Sequence, residues 1–273
     1  MTDVNIALSA ERIVAEEQQI NSEWEKPKLY WGQTLVGRSD GLRPTEEMLA
    51  ASHLFLCPSE FVKEDLEKNY GISKDRTILL PYAVNPRWFT VSNRPTIGRV
   101  LFAGAAELRK GIHILAAASD ILAQRGRKLE FIVAGAASSM VTSHPRAQSL
   151  RFLGRISMPE LRTQFESADI FAFPSLAEGS AGVTYEAMAC GLPIVTTRAA
   201  GSIARDGIEG RIVSERNSVE LADAIEEIVF DRGRRERMSI AARDRAVAYS
   251  WQKYQRSLYE ALLLGPTSRS ALG

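Results

Sequence analysis

Between residues 97 and 230, short apolar runs alternate with longer segments in which apolar residues recur every three or four positions. The apolar runs lie at 97–104, 129–135, 149–154, 169–174, 192–197 and 211–213. The periodic segments lie at 109–126, 158–168, 183–191 and 218–231. Short apolar runs that end at Gly or Pro predict buried strands, and the helical period predicts helices. Their alternation predicts βαβ units, so we expect an α/β domain with a doubly wound parallel sheet.

The first 96 residues show a weaker pattern. Apolar runs predict strands at 53–59 and 77–84, and periodic segments predict helices at 9–24, 42–51 and 61–71. Two strands are too few for an independent sheet with its own core. We therefore interpret residues 1–90 as a partial N-terminal α/β domain.

The rest of the chain then divides at its linker and at its C-terminal end. Residues 82–96 contain prolines and asparagines typical of a linker, and residues 91–250 form the larger domain. Residues 251–273 predict a C-terminal helix and tail that pack back on the N-terminal part. Because only part of a sheet is predicted in residues 1–96, we expect an exposed apolar surface there. Such a surface favours association with another copy or with a partner chain.

Composition narrows the class of protein. The chain is 45% hydrophobic and 25% charged, with a formal net charge of +1, so its overall field favours neither nucleic acid nor an anionic membrane. Two cysteines in apolar surroundings predict buried thiols in a reducing compartment. The N-terminus becomes charged too early for a secretory signal, and no apolar run approaches the roughly 18 residues that span a bilayer. We expect a cytoplasmic protein.

One basic segment could still bind an anionic surface. Residues 232–238, RGRRERM, are rich in arginine, but Asp231 and Glu236 interrupt the positive charge. We favour a solvated helix face and keep weak peripheral membrane contact as an alternative. No nucleic-acid partner is expected.

The first candidate site lies in the segment PSLAEGSAGVTYEAMACGLP, residues 174–193. Glu178 and Glu186 flank a small-residue loop, and a helix is predicted to begin near Val183. Free amides and the dipole at a helix N-terminus favour an anion, and small residues allow its close approach. Carboxylates can hold the hydroxyl groups of a ribose or hexose. The alternative is that both acids only complement the helix dipole, and their spacing leaves both interpretations open.

The second candidate site is FAGAAELRKG, residues 102–111, where a strand ends and a helix is predicted to begin. Arg109 and Lys110 lie at that helix start, where the dipole disfavours cations, which suggests that an anion lies between them and the amides. Lys110 is the better candidate for a diphosphate because its ammonium is a compact charge. The alternative is a solvated surface pair.

Other chemistry lacks a signal in the sequence. There is no glycine-rich dinucleotide or P-loop motif, no DxD pair for a divalent metal and no Cys/His cluster with zinc spacing. We therefore expect no metal and no cofactor. The three histidines, His53, His113 and His144, are scattered, and structural roles are the simpler interpretation.

The two sites together resemble the signature of GT-B glycosyltransferases of family 4, which are retaining and metal-independent. That signature is E-x7-E followed by E-A-M-A-x-G-x-P-[IV]-V, and PSLAEGSAGVTYEAMACGLPIVTT is similar to it. The resemblance covers about residues 45–260 and is most specific over 100–215. It implies a Rossmann-like donor domain and transfer of a hexosyl group from a nucleotide-diphosphate sugar to a sugar, lipid or polysaccharide acceptor.

The resemblance also implies residue roles. Glu178 would bind the donor sugar, Glu186 the ribose, and Lys110 the diphosphate leaving group. Contacts to the sugar and phosphate are implied for the loop residues Gly179, Ser180, Ala181, Gly182 and Val183. Contacts to the base are implied for Arg155 and Ile156. Many family members have an Arg where this chain has Ala105, and Arg109 is a candidate replacement.

The other departure from the family is length, since the family's usual N-terminal half, with the acceptor site, is not found in this sequence. An alternative is therefore a truncated, non-catalytic nucleotide-sugar-binding module, or one half of a split glycosyltransferase that needs a partner chain.

Overall fold

The computed structural model describes residues 2–3, 8–26 and 49–264. Its strands are β1 (Thr2–Asp3), β2 (Phe55–Cys57), β3 (Thr77–Leu79), β4 (Arg99–Ala103), β5 (Glu130–Ala134), β6 (Leu150–Gly154), β7 (Ile170–Phe173), β8 (Ile194–Thr197) and β9 (Gly210–Val213). Its α-helices are α1 (Ala10–Ile20), α2 (Glu60–Asn69), α3 (Ile112–Gln124), α4 (Ser139–Thr142), α5 (Met158–Ser167), α6 (Gly182–Ala189), α7 (Ser218–Phe230), α8 (Arg232–Val247) and α9 (Trp251–Leu264). The predicted α/β class is confirmed.

The larger domain contains a six-stranded parallel sheet in the order β6-β5-β4-β7-β8-β9. The strand order reverses between β4 and β7, so the loops that follow these strands diverge and leave a crevice. One large apolar core covers the sheet and includes the buried rings of Phe102, Phe171 and Phe173. The doubly wound sheet expected from the apolar runs is therefore confirmed.

The N-terminal part contains a second sheet, with three parallel strands in the order β1-β2-β3. The apolar pattern predicted two of these strands; β1 is only two residues long. On one face, Leu66 of α2 belongs to a cluster with Phe55, and on the other, Ala261 of α9 belongs to a cluster with Leu56. The uncovered face that the sequence predicted is thus absent from the described part of this sheet. Large exposed apolar side chains lie instead on α9, at Trp251, Tyr259, Leu262 and Leu263.

A buried charge cluster ties the linker to the larger domain. Asp169, just before β7, is completely buried and accepts hydrogen bonds from Arg235 Nε at 3.1 Å and Arg232 Nη1 at 2.7 Å. Arg235 is only 3% exposed and also donates to the side chain of Asn93 in the linker. The segment 232–238 is therefore only in part the solvated helix face predicted: Gly233, Glu236 and Arg237 are exposed, but Arg235 lies in the core.

Helix α1 and the residues after it dock on the larger domain. The Glu17 carboxylate lies 2.8 Å from His113 Nε2 and 2.6 Å from Arg216 Nε. Trp24 is buried and stacks on His144 with ring centroids 3.8 Å apart. Burial raises the pKa of Glu17, but hydrogen bonds from His113 and Arg216 outweigh it and hold the pKa below its usual value. Both histidines therefore have structural partners.

The start of the helix after β4 differs from the prediction. It begins at Ile112 rather than Arg109, because Gly111 takes left-handed backbone (φ 76°) and closes a separate 3-10 turn, Leu108–Lys110. Arg109 and Lys110 therefore lie in a tight turn that precedes the helix.

The remaining predictions concern the C-terminal segment, the cysteines, the helix 42–51 and membrane spans. The C-terminal segment forms two helices, α8 and α9, and α9 begins at Trp251, the first residue of the predicted C-terminal helix and tail. Most of the predicted helix 42–51 lies outside the described residues. Cys57 and Cys190 are buried free thiols. Within the described ranges, no helix combines the length and apolar character needed to cross a membrane.

Candidate functional site

A cavity of about 460 Å³ opens where the strand order reverses, between the loops after β4 and β7. It is lined by Ala103, Gly104, Lys110, Ala134, Gly135, Arg155, Ile156, Leu161, Glu178, Ser180, Ala181, Gly182 and Val183. All residues of the predicted site line it except Arg109, Gly179 and Glu186. The fold therefore brings together segments that are separated by up to 80 positions in the chain, from Ala103 to Val183.

Backbone forms the floor of the cavity. A Cβ atom on Gly135 would lie 2.0 Å from the Gly104 carbonyl oxygen, so the two strand ends touch directly. A Cβ atom on Gly104 would lie 3.4 Å from Lys110 Nζ, which shows how close the ammonium group comes to the strand end. The same ammonium lies 5.5 Å from the ring centroid of Phe173. Lys110 thus places a positive charge at the bottom of the cavity.

Glu178 holds the negative charge opposite this ammonium. Its Oε1 atom lies 3.4 Å from Lys110 Nζ and 2.8 Å from Arg109 Nη1. Neither contact has hydrogen-bond geometry, and Oε1 has no hydrogen-bond partner among the described residues. The carboxylate is therefore held by charge and keeps the capacity to accept hydrogen bonds from hydroxyl groups of a ligand.

Arg109 does not face the cavity, which the sequence could not establish. Its Nη1 atom donates to the Ala177 carbonyl at 2.9 Å, and its Nη2 atom donates to Glu107 Oε1 at 3.0 Å. Burial lowers the pKa of Arg109, but the charges of Glu178 and Glu107 outweigh it and raise the pKa, so the side chain stays charged. Sequence reasoning missed Glu107; its only signal was an acid two positions before the arginine.

The small-residue loop after β7 is held by backbone hydrogen bonds. The amides of Glu178 and Ala181 each donate at 2.9 Å to carbonyls of the 3-10 turn Arg198–Ala200. The Ser180 hydroxyl contacts the Tyr185 hydroxyl at 2.7 Å and points into the protein. The amide of Ala181, predicted to contact a ligand, is therefore already used, and Ser180 lines the cavity without presenting its hydroxyl.

The N-terminus of α6 remains open. Ala181 is the N-cap residue and contributes no side-chain hydrogen bond to the helix. The first amides of a helix, here on Gly182 and Val183, have no acceptor within the helix and carry the positive end of its dipole. Gly182 is exposed, and nothing lies within 4 Å of a Cβ atom placed on it. This end of α6 can therefore receive an anion.

Three other predicted residues lie at the edges of the cavity or beside it. The exposed Arg155 and the half-buried Ile156 line the cavity from the loop after β6. Gly179 is turned away, and its carbonyl accepts a hydrogen bond of 2.5 Å from Ser59 Oγ of the N-terminal part. The loop after β7 is thus in direct contact with both parts of the chain.

Glu186 lies one turn into α6 and does not line the cavity. Burial raises its pKa, while the nearby Trp88 indole and the charge of Arg87 act in the opposite direction. The structure therefore joins Glu178 and Lys110 at one cavity and places Glu186 one helical turn behind the open end of α6, outside the lining residues. Among the described residues, no group of three or more His, Cys, Asp or Glu side chains could hold a metal ion.

The larger domain is similar to known glycosyltransferases. Residues 98–231 match the family of Glycosyl transferases group 1. The chain is also similar to a D-inositol 3-phosphate glycosyltransferase of Paenarthrobacter aurescens, with 30% identity over 213 residues, 70% of this chain and 52% of that protein. The chain spans about half the length of this relative and of a second one, from Geodermatophilus obscurus.

Solved structures show the same fold. HepE from Anabaena, in complex with UDP and glucose, has a TM-score of 0.62 and 22% identity, and the match covers 77% of this chain and 63% of HepE. Sucrose-phosphate synthase from Thermosynechococcus elongatus has a TM-score of 0.66 and 20% identity, and that match covers 83% of this chain and 64% of the synthase. The fold is that of GT-B glycosyltransferases. Residues 98–231 form a domain similar to the group 1 glycosyltransferases.

Proposed function

We propose that the chain binds a nucleotide-diphosphate sugar in this cavity and transfers its hexosyl group to an acceptor, with retention of configuration and without a metal ion. One observation carries the proposal: Lys110, Glu178 and the open N-terminus of α6 face a single cavity at the point where the strand order reverses. Ligands of open α/β sheets bind at such crevices. The cavity of about 460 Å³ also falls in the size range of small-molecule sites.

Each group at the cavity has a chemical task in this transfer. The bond between the anomeric carbon and the diphosphate oxygen breaks as the acceptor hydroxyl oxygen bonds to the same carbon, and the hydroxyl proton passes to the departing diphosphate. Lys110 and the first amides of α6 offset the charge that develops on the diphosphate, the task a metal ion performs elsewhere. Glu178 accepts hydrogen bonds from sugar hydroxyls. We assign the base to Arg155 and Ile156 and the ribose hydroxyls to Glu186, as the family resemblance implies.

Calorimetry with the whole chain tests donor binding. UDP-, GDP- and ADP-sugars are titrated in turn, and UDP-glucose comes first because HepE, which shares the fold, was solved with UDP and glucose. We expect one of these donors to bind, with unchanged affinity in the presence of EDTA. A folded chain that binds none of them would falsify the proposal. Retention is checked by the anomeric configuration of the product in an NMR spectrum.

A second candidate is a module that binds a nucleotide sugar without transferring it, or that transfers only with a partner chain. The observation that favours it is the pairing of Arg109 with Glu107 and Glu178, which leaves the charge missing at Ala105 unreplaced. The purified 273-residue chain is incubated with the donor that it binds, with and without simple glycoside acceptors. Release of nucleoside diphosphate or formation of a glycoside by this chain alone eliminates the second candidate.

A further inference from the structure

Arg109 joins the two loops that border the cavity through its main chain. Its carbonyl oxygen accepts hydrogen bonds from the amide of Leu176 at 2.8 Å and from Ser175 Oγ at 3.0 Å. Gly111, at the end of the same turn, packs so closely on Pro174 that a Cβ atom would lie 2.0 Å from the proline carbonyl oxygen. The turn after β4 and the loop after β7 therefore form one rigid unit.

The Arg109 side chain adds a second connection between the same loops. Its guanidinium group donates hydrogen bonds to Glu107 on its own turn and to Ala177 on the β7 loop, and it forms an ion pair with Glu178 on the same loop. The side chain is only 15% exposed. A planar guanidinium with fixed donor directions can hold several acceptors at once, which a lysine ammonium cannot do in the same geometry. The orientation of Glu178 therefore depends on Arg109.

The Glu178 carboxylate is approached most closely at Oε1. The shortest distances from Arg109 and Lys110 both run to this atom, which accepts no hydrogen bond from a described residue. Glu178 lines the cavity and Arg109 does not. Glu178 faces two cations, Arg109 and Lys110, and Glu107 supplies a second negative charge beside Arg109. The buried guanidinium is therefore paired.

We propose that Arg109 is a positioning residue that fixes Glu178 toward the donor sugar, and that it does not bind the diphosphate. The inference rests on the proposed function, because it requires a sugar to meet Glu178. It changes the role expected from the sequence, in which Arg109 would replace the arginine missing at Ala105. The diphosphate is then neutralised by Lys110 and the α6 amides, without help from Arg109.

The two roles of Arg109 predict different losses in binding. Arg109→Met is titrated by calorimetry with UDP-glucose and with UDP, or with the corresponding pair for whichever donor the wild type binds. If Arg109 positions Glu178, the affinity for the nucleotide sugar falls about tenfold or more, the value of one hydrogen bond to a charged group, while the affinity for the nucleoside diphosphate changes less than about twofold. Equal losses for both ligands, or no loss for either, overturn the inference.

A double-mutant cycle separates positioning from a general loss of structure. Glu178→Gln removes the charge that Arg109 holds, so the double variant should bind the nucleotide sugar no more weakly than Glu178→Gln alone. Additive losses contradict the coupling. Arg109→Lys keeps a charge that can reach one acceptor, so we expect part of the affinity to return; Arg125→Met, at an exposed ion pair, is the matched control and should bind like the wild type.

Failure of the proposed function gives a different result. A wild-type chain that is folded and binds neither UDP-glucose, GDP-mannose, ADP-glucose nor their nucleoside diphosphates overturns that function and this inference with it. A wild type that binds both ligands, together with an Arg109→Met variant that loses both equally, overturns the inference alone. If Arg109→Met is unfolded by circular dichroism, the comparison of Arg109→Lys with Glu178→Gln decides in its place.

Discussion

The two parts of the chain are stabilised in different ways. The larger domain has one core that extends across six strands. The N-terminal sheet has three strands and two small apolar clusters, and one of these is completed by α9 from the opposite end of the chain. Because stabilisation grows with the apolar area buried, the larger domain supplies its own stability and the smaller sheet depends on other segments. The described lining of the cavity comes from the larger domain, and the N-terminal part contacts the neighbouring backbone at Ser59.

The largest effect is expected at the charge cluster of the larger domain. Asp169→Ala leaves Arg235 buried without its charge partner, which costs about 3–5 kcal/mol in comparable cases. Urea denaturation should show this loss in the free energy of unfolding. Asp223→Ala removes an exposed acid that pairs with Arg125, and it should cost no more than about 1 kcal/mol. Equal losses for the two variants would mean that the buried cluster does not stabilise the core.

The next largest effect is a loss of activity without a loss of stability. Lys110→Met removes the charge at the bottom of the cavity, and we expect the rate of transfer or of donor hydrolysis to fall about 10²–10³-fold, as when an oxyanion-stabilising group is lost. The thermal midpoint should stay close to that of the wild type. Lys128→Met, on an exposed loop, is the matched control and should retain full activity. If the rate of Lys110→Met stays within twofold of the wild-type rate, Lys110 does not stabilise the leaving group.

A smaller effect is expected where α1 docks on the larger domain. Glu17→Gln removes the charge of the carboxylate that contacts His113 and Arg216. Hydrogen bonds to a charged group contribute about 1.5–3 kcal/mol, so both contacts should weaken. Hydrogen-exchange protection should fall in α1 and remain unchanged in β4. Glu16→Gln, whose side chain is 45% exposed, should leave both unchanged.

The same contact predicts a pH dependence. The pKa of Glu17 is lowered in the folded chain, so its contribution to stability is complete above the usual carboxyl pKa and is lost as the pH falls through the lowered value. Protection factors of α1, which correct for intrinsic exchange, should therefore decrease on acidification before those of β4. In Glu17→Gln, the protection of α1 should be low both above and below the carboxyl pKa. A wild-type α1 that keeps its protection below the carboxyl range contradicts this assignment.

The smallest effect tests the dependence of the N-terminal sheet on α9. Ala261 is 1% exposed in the cluster with Leu54 and Leu56, and Ala261→Arg overpacks it at a cost of about 1–3 kcal/mol. Exchange should increase in β2 and β3 but not in β5. The adjacent Leu262 is 57% exposed, so Leu262→Arg should have no effect. If β5 also loses protection, the two parts are more strongly coupled than their separate cores indicate.

Much of the larger domain followed from local pattern, because β4, β5 and β7 are apolar on both faces and are followed directly by Gly or Pro. The order in which strands pair is a long-range property, so the crevice between β4 and β7 could only be inferred from the general behaviour of such sheets. The ion pair of Asp169 with Arg235 joins positions 66 residues apart and was missed. A usable signal existed: Asp169 opens an otherwise apolar run, and a charge in that position needs a buried partner.

The candidate site was predicted in part for a similar reason. Lys110 and Glu178 were singled out by residue type and position, and the cavity contains both. The direction of Arg109 depends on a 3-10 turn that Gly111 ends, and a pattern of residue types does not fix such a turn. The contact between Ser59 and Gly179 joins positions 120 residues apart and also had no local signal.

The floor of the cavity has a consequence for sequence variation. At Gly135 the backbone has φ +150°, and the atom that blocks any side chain is the carbonyl oxygen of Gly104, which cannot move aside as a flexible side chain could. Every substitution there is a steric clash, so this position has no neutral variants. Gly182, at the open side of the cavity, meets nothing within 4 Å and can accept a methyl group without strain. New specificity can therefore arise by mutation at the rim, while the floor stays the same.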